Sequence, residues 1–188
     1  GADGQLGRAL VGALGAVGTL ECATRGGRFD GGPCHRADLE VPAETVDLLR
    51  RLRPSVLVNA AAYTAVDRAE SEPGLAFRVN AEAPAELAVT AAELGVRMIH
   101  YSTDYVYGSE AGRSRPWQEE DEPAPASVYA ASKLAGDRAV AAAGGEYLIL
   151  RTSWLYAPHG HNFLRTVLRL AKEREDLHIV DDQIGSPT

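Results

Sequence analysis

The chain has 188 residues, enough for one sizeable domain with its own core. Hydrophobic residues make up 45% and charged residues 24%, the balance of a globular protein rather than a disordered one. The net charge of −7 argues against a general nucleic-acid binder, which carries a basic face to neutralise phosphates, but leaves room for one nucleotide held by a few local donors.

Taken in chain order, the pattern alternates helix and strand. Gln5 to about Leu14 reads as a helix opening out of a glycine turn, and residues 18–24 as a strand. Residues 43–52 are helical, with Pro42 suited to the start and Val46, Leu48, Leu49 and Leu52 as apolar positions. Residues 56–61 form a short apolar run of buried-strand length. A long helix over 74–94 follows, ended by Gly95. Residues 96–102 predict the next strand, and 109–126 a polar, proline-rich loop. Ser127 is placed to cap a helix running to about Ala143. Residues 147–150 read as a strand, 163–172 as a helix and 177–180 as a last short strand.

Strands separated by helices predict an α/β fold: a Rossmann-like, doubly wound parallel sheet. Gly1 falls inside the glycine turn with no strand ahead of it, so the first strand is expected to be missing. The chain stops just after the last predicted strand. Residues 1–160 are expected to form a dinucleotide-binding domain, and 161–188 to lead into a substrate lobe of which most is missing. No stretch approaches the ~18 apolar residues of a membrane span, so no membrane partner is expected. Cys22 and Cys34 have no metal-ligand spacing and make no disulfide framework; a reducing, cytoplasmic compartment is expected.

Gly1, Gly4 and Gly7 form G-x-x-G-x-x-G directly before a helix. Glycines there let the backbone approach a pyrophosphate, to which the helix N-terminus offers free N–H donors. The end of the next strand reads the adenosine ribose in such folds. An acid there favours NAD, whereas an arginine accommodates the 2′-phosphate of NADP. Here the match is Thr24-Arg25-Gly26-Gly27-Arg28, with Glu21 lying earlier inside the strand, which favours NADPH over NADH. Asp38, in Ala37-Asp38-Leu39, is placed to bond an adenine amino group.

Tyr129 and Lys133 form Y-x-x-x-K, which sets both on one face of a helix. An ammonium beside a phenol stabilises the phenolate, so the tyrosine is expected to exchange a proton with a substrate oxygen near neutral pH. The pair opens a helix about 25 residues after a strand ending in Ser102-Thr103. A hydroxyl at that strand end faces the crevice where such sheets bind ligands, and either Thr103 or Ser102 can bond a carbonyl being reduced.

The order of these parts resembles the extended short-chain dehydrogenases/reductases. Finer signatures resemble the dTDP-4-dehydrorhamnose reductase family: the run 1–7, the run from Val58 to Glu70, Tyr101 to Tyr107, Lys133-Leu134-Ala135-Gly136 and Leu150 to Trp154. The resemblance implies that Gly4, Gln5 and Leu6 touch the pyrophosphate, and that Asp38 and Leu39 lie by the adenine. Ala62, Tyr63, Thr64 and Tyr101 would line the cofactor. Thr103, Asp104 and Trp154 would meet the sugar, with Tyr129 as proton donor and Lys133 on the nicotinamide ribose. It implies reduction of the 4-keto group of dTDP-4-dehydro-β-L-rhamnose to dTDP-L-rhamnose, a nucleotide-sugar substrate and no nucleic acid. No metal is assigned, and a homodimer is compatible with this reading. Two alternatives stay open. One is a nucleotide-sugar epimerase or dehydratase of the same superfamily. The other is a non-catalytic subunit resembling the regulatory subunit of methionine adenosyltransferase.

Overall fold

The structure is a computed structural model and describes residues 1–108 and 113–188. The first part of the predicted 109–126 loop, residues 109–112, lies outside the described residues; 113–126 has no helix or strand. In chain order the elements are α1 (Gln5–Leu14), β1 (Ala23–Thr24), β2 (Arg28–Phe29), β3 (Gly32–Pro33), β4 (His35–Arg36), α2 (Pro42–Leu52), β5 (Val56–Asn59), α3 (Val66–Ala69), α4 (Pro73–Phe77), α5 (Ala83–Leu94), β6 (Arg97–Thr103), α6 (Val128–Ala142), β7 (Tyr147–Thr152) and α7 (Phe163–Glu173). A π-turn (Arg78–Glu82) joins α4 to α5, and a 3₁₀ turn (Asp104–Tyr107) follows β6.

β5, β6 and β7 form a parallel sheet in that order, with Asn59 opposite His100 and Thr103 opposite Thr152. β1 and β4 pair in parallel as a separate ribbon. The α/β architecture with parallel strands is therefore as the sequence predicts. The main core joins Leu49 of α2, Leu87, Ala88 and Ala91 of α5, Val96 and Met98 at β6, and Val140 of α6. α1 buries only Gly7, and α7 buries nothing.

Local signals hold at several ends. Pro42 opens α2, Gly95 closes α5 in the left-handed conformation at φ 68°, and the Ser127 side chain accepts from the Ala130 N–H at the start of α6. The predicted helix over 74–94 is one continuous helical run widened at the π-turn.

Two strand predictions change. Residues 18–24 shorten to β1, because ladder bonding to the next strand begins only where the His35 N–H donates to the Cys22 carbonyl. Residues 177–180 form no strand: Ile179 and Val180 are exposed and meet no sheet edge, and an apolar run becomes a strand only against a partner. A hairpin absent from the sequence prediction joins β2 to β3. Its two-residue turn, Asp30-Gly31, has φ of 47° and 82°, the positive pair that a tight hairpin needs.

Candidate active site

The glycine turn packs tightly. A Cβ on Gly7 would overlap the Gly1 carbonyl, and one on Gly1 would come within 2.7 Å of the Ala61 N. The Ala2 N–H donates to the Ala23 carbonyl, which ties the turn to the end of β1. Gly4 caps α1 without a side chain, and no acid stands in the first turn. The first N–H groups of a ten-residue helix therefore face outward beside a cradle with no room for side chains, an arrangement that fits a pyrophosphate. The segment 157–162 reaches this turn: Asn162 Nδ2 donates to Gln5 Oε1 at 2.9 Å. Leu6 is half-buried in the first turn of α1.

The expected adenosine end is open. Arg25 is 74% exposed and pairs loosely with Glu40 at 3.4 Å. Glu21, which precedes β1, is engaged by His35 Nε2 at 2.8 Å. Asp38 accepts the Glu40 N–H at 3.0 Å, shaping the loop that follows β4. Leu39 packs partly against the main core, so its side chain serves the core as well as any ligand.

The segment after β5 is fixed by Asn80 of the π-turn. Its Oδ1 accepts the Tyr63 N–H at 2.8 Å, and its Nδ2 donates to the Tyr63 carbonyl and to Ser132 Oγ, both at 3.0 Å. A π-turn widens the backbone, and such turns recur at functional sites. Here it lets α6 approach: a Cβ on Gly136 would overlap the Asn80 carbonyl. Ala62 and Tyr63 are thereby held half-buried, with Thr64 exposed beside them. Tyr63 also donates to Glu72 at 2.5 Å.

Thr103 ends β6, accepts the Tyr105 N–H at 3.2 Å and donates to Asp104 Oδ1 at 3.3 Å. Tyr129 stands edge-on to Tyr105, with ring centroids 6.0 Å apart. Burial pushes the Tyr129 phenol up from its ordinary value; Thr103 opposes this, while Tyr105, Asp104 and Asp137 add to it. Burial likewise raises the Asp104 carboxyl, against the hydrogen bond from Thr103.

Lys133 is 1% exposed, and burial lowers it to about 8. Its Nζ donates to the Tyr101 carbonyl at 2.7 Å and lies 3.4 Å from His100 Nε2. The expectation that Lys133 lowers Tyr129 is thus corrected. The i,i+4 spacing sets both stems on one face, but the ammonium follows the nearest carbonyl, and burial governs the phenol.

Ser102, the rival hydroxyl, is turned away. Its Oγ donates to Asp137 Oδ2 at 2.8 Å. Arg151 of β7 also reaches Oδ2, at 3.4 Å, and donates through its other arm to Tyr107 Oη at 2.6 Å.

Trp154 is 48% exposed and has φ 47°, a left-handed backbone that bulky residues rarely adopt outside constrained sites. Gly185 lies against its ring. It is therefore not an ordinary core aromatic.

Sequence reasoning passed over Asn59, Asn80, His100 and Asp137. Asp137 had a signal, since it continues the Tyr129–Lys133 stripe by a further four residues. Asn80 had none, because a π-turn leaves no mark in the apolar pattern. Among the described residues no three His, Cys, Asp or Glu side chains are grouped to hold a metal, and no helix is long and apolar enough to cross a membrane.

Comparison with known proteins bears on this site. The family described as RmlD substrate binding domain matches residues 1–188. A dTDP-4-dehydrorhamnose reductase of Burkholderia thailandensis is 45% identical over 188 residues, covering 100% of this chain and 59% of the relative. One of Escherichia coli K12 is 44% identical over 189 residues, covering 100% of this chain and 60% of its own length. Among solved structures, the dTDP-4-dehydrorhamnose reductase of Bacillus anthracis in complex with NADP superposes with a TM-score of 0.85 at 38% identity, covering 100% of this chain and 63% of that one. The chain spans about 60% of the length of the curated relatives it matches.

Proposed function

Because the chain belongs to the RmlD substrate binding domain family, we propose that the protein reduces the 4-keto group of dTDP-4-dehydro-β-L-rhamnose to give dTDP-L-rhamnose, using NADPH in preference to NADH. The observation that carries this reading is the meeting of Tyr129, edge-on to Tyr105, with the C-terminal end of β6 at Thr103, in a chain matched by that family along its whole length. Residues 1–160 serve as the dinucleotide-binding part and 161–188 lead toward a substrate lobe.

When bound, the nicotinamide supplies the hydride. Gly1, Gly4, Gln5, Leu6 and Gly7 present backbone to the pyrophosphate, and Arg25 reaches the 2′-phosphate. Asp38 and Leu39 flank the adenine, while Ala62, Tyr63, Thr64 and Tyr101 line the remaining length. Thr103 orients the keto oxygen by a hydrogen bond, and Asp104 and Trp154 contact the sugar. Tyr129 gives its phenolic proton to that oxygen as negative charge develops there. A phenol raised by burial is fully protonated at neutral pH, the state that a donor needs in the direction of reduction. Lys133, its ammonium on the Tyr101 carbonyl, is placed to hold the nicotinamide ribose.

The test is NADPH oxidation by the full-length protein with dTDP-4-dehydrorhamnose, with the sugar product identified. Tyr129→Phe should lower turnover by about 10²–10⁴-fold while leaving NADPH affinity within about twofold. Wild-type turnover in that variant, or a wild-type protein inert toward this ketosugar, overturns the reading.

A further inference from the structure

Behind the Tyr129–Lys133 pair lies a closed polar cluster that the proposed chemistry leaves unused. Asp137 is 3% exposed and follows Lys133 by four residues, so Tyr129, Lys133 and Asp137 climb one face of α6. Its Oδ2 is taken by Ser102 and Arg151, but its Oδ1 is buried without a hydrogen-bond partner. Native structures seldom leave a carboxylate oxygen in that condition without a reason.

The groups facing Oδ1 supply one. His100 is fully buried, and its Nε2 lies 3.8 Å from Oδ1 and 3.4 Å from Lys133 Nζ. On the other edge of the ring, Asn59 Nδ2 meets Nδ1 at 3.1 Å. The Asn59 amide is oriented by its Oδ1, which accepts the Ala61 N–H. Nδ1 is therefore an acceptor, and the proton of the neutral ring sits on Nε2. Burial and the Lys133 charge keep this ring neutral, lowering it to about 3. The His100 Nε2 edge thus stands between the two charges, 3.8 Å from Asp137 Oδ1 on one side and 3.4 Å from Lys133 Nζ on the other.

We infer that Asp137 is a positioning residue for Lys133: its buried carboxylate, held by Ser102 and Arg151 and backed by neutral His100, keeps the lysine charge in place behind Tyr129. Electrostatics supports the geometry. Burial alone drives Lys133 toward its neutral form, and Asp137 is the charge that opposes this. The Tyr101 carbonyl on β6 also faces Lys133, and Asp104 and Tyr105 face Tyr129. The consequence for turnover rests on the function proposed above; the effect on Lys133 itself does not.

Lys133 is one of only two lysines in the chain, the other being Lys172. In the full-length protein, lysine side chains labelled at Cε with ¹³C can be followed by NMR through pH 6–11, with Lys133 identified by its loss in Lys133→Met. Lys133 should titrate near 8 in wild type. In Asp137→Asn it should titrate about one pH unit lower, since the opposing charge is gone. Asp137→Glu should restore most of the wild-type value, and Lys172 should not move. Asp137→Ser gives the same readout if the Asn variant does not fold. In the NADPH assay the alkaline limb of kcat should shift to lower pH in parallel, costing about tenfold at pH 8.5 and little at pH 6. An unchanged Lys133 titration in the Asn and Ser variants overturns the inference. A shifted titration in a protein without ketosugar reductase activity upholds the inference and refutes the proposed function.

Discussion

The Ser102 hydroxyl donates to Asp137 Oδ2 at 2.8 Å, while the neighbouring Thr103 hydroxyl donates to Asp104 Oδ1 at 3.3 Å and accepts the Tyr105 N–H. Adjacent residues on a strand point to opposite faces, so two chemically similar side chains one residue apart enter different environments.

Their substitutions should therefore separate. Thr103→Val should lower kcat by about 10²-fold, the typical cost of losing one donor to a developing oxyanion, with little change in melting temperature. Ser102→Ala should instead cost about 1–3 kcal/mol of stability by depriving a buried carboxylate of a donor, with a smaller loss of turnover. Steady-state kinetics and urea denaturation of both variants decide this. The reverse pattern would hand the carbonyl-binding role to Ser102.

Cofactor preference should depend on Arg25. Its side chain is exposed and only loosely paired with Glu40, so it is available to a phosphate at little structural cost. Arg25→Ala should weaken NADPH by about 10–100-fold, the range of one or two charge-assisted hydrogen bonds, and leave NADH within about twofold. Equal weakening of both cofactors would show that the arginine supports the loop rather than the phosphate.

His100 should make the protein acid-sensitive. Burial and the Lys133 charge lower this ring in the folded protein from its ordinary 6.5 to about 3. The unfolded chain thus binds a proton that the folded chain refuses, and stability falls as pH drops from 6.5 toward 3. The slope from this one residue is at most about 1.4 kcal/mol per pH unit. Urea midpoints measured from pH 7.5 to 4 should fall less steeply in His100→Gln than in wild type. Parallel curves would mean that the acid sensitivity arises elsewhere.

Much of this arrangement is legible in the sequence where the signal is local. The glycine turn before α1, Ser127 at the start of α6 and Gly95 at the end of α5 each act through backbone geometry within a few residues. The Asp30-Gly31 hairpin is equally local, and its turn signature was there to be read. What resists reading is anything that needs a distant partner. The apolar run 177–180 meets no sheet edge. Asn80 clamps Tyr63 seventeen residues earlier through a turn that leaves the apolar pattern unchanged. His100 reads as an ordinary strand residue until Asn59, Lys133 and Asp137 arrive from three other elements. Even the Tyr129–Lys133 spacing shows which face the side chains share, but not that the ammonium turns to the Tyr101 carbonyl.

Eight residues along α6 separate Tyr129 from Asp137, which at about 1.5 Å per residue is roughly 12 Å. Asp137 is only 3% exposed, so its carboxylate lies out of reach of a ligand seated against Tyr129. Compounds selected for filling the mouth of the crevice would therefore never touch the carboxylate, although they would feel its field through Lys133. Two related proteins identical at every contacting side chain but different at this depth would present the same shape and a different affinity for a charged inhibitor. The difference would show in the pH dependence of inhibition and not in a superposition of their pockets.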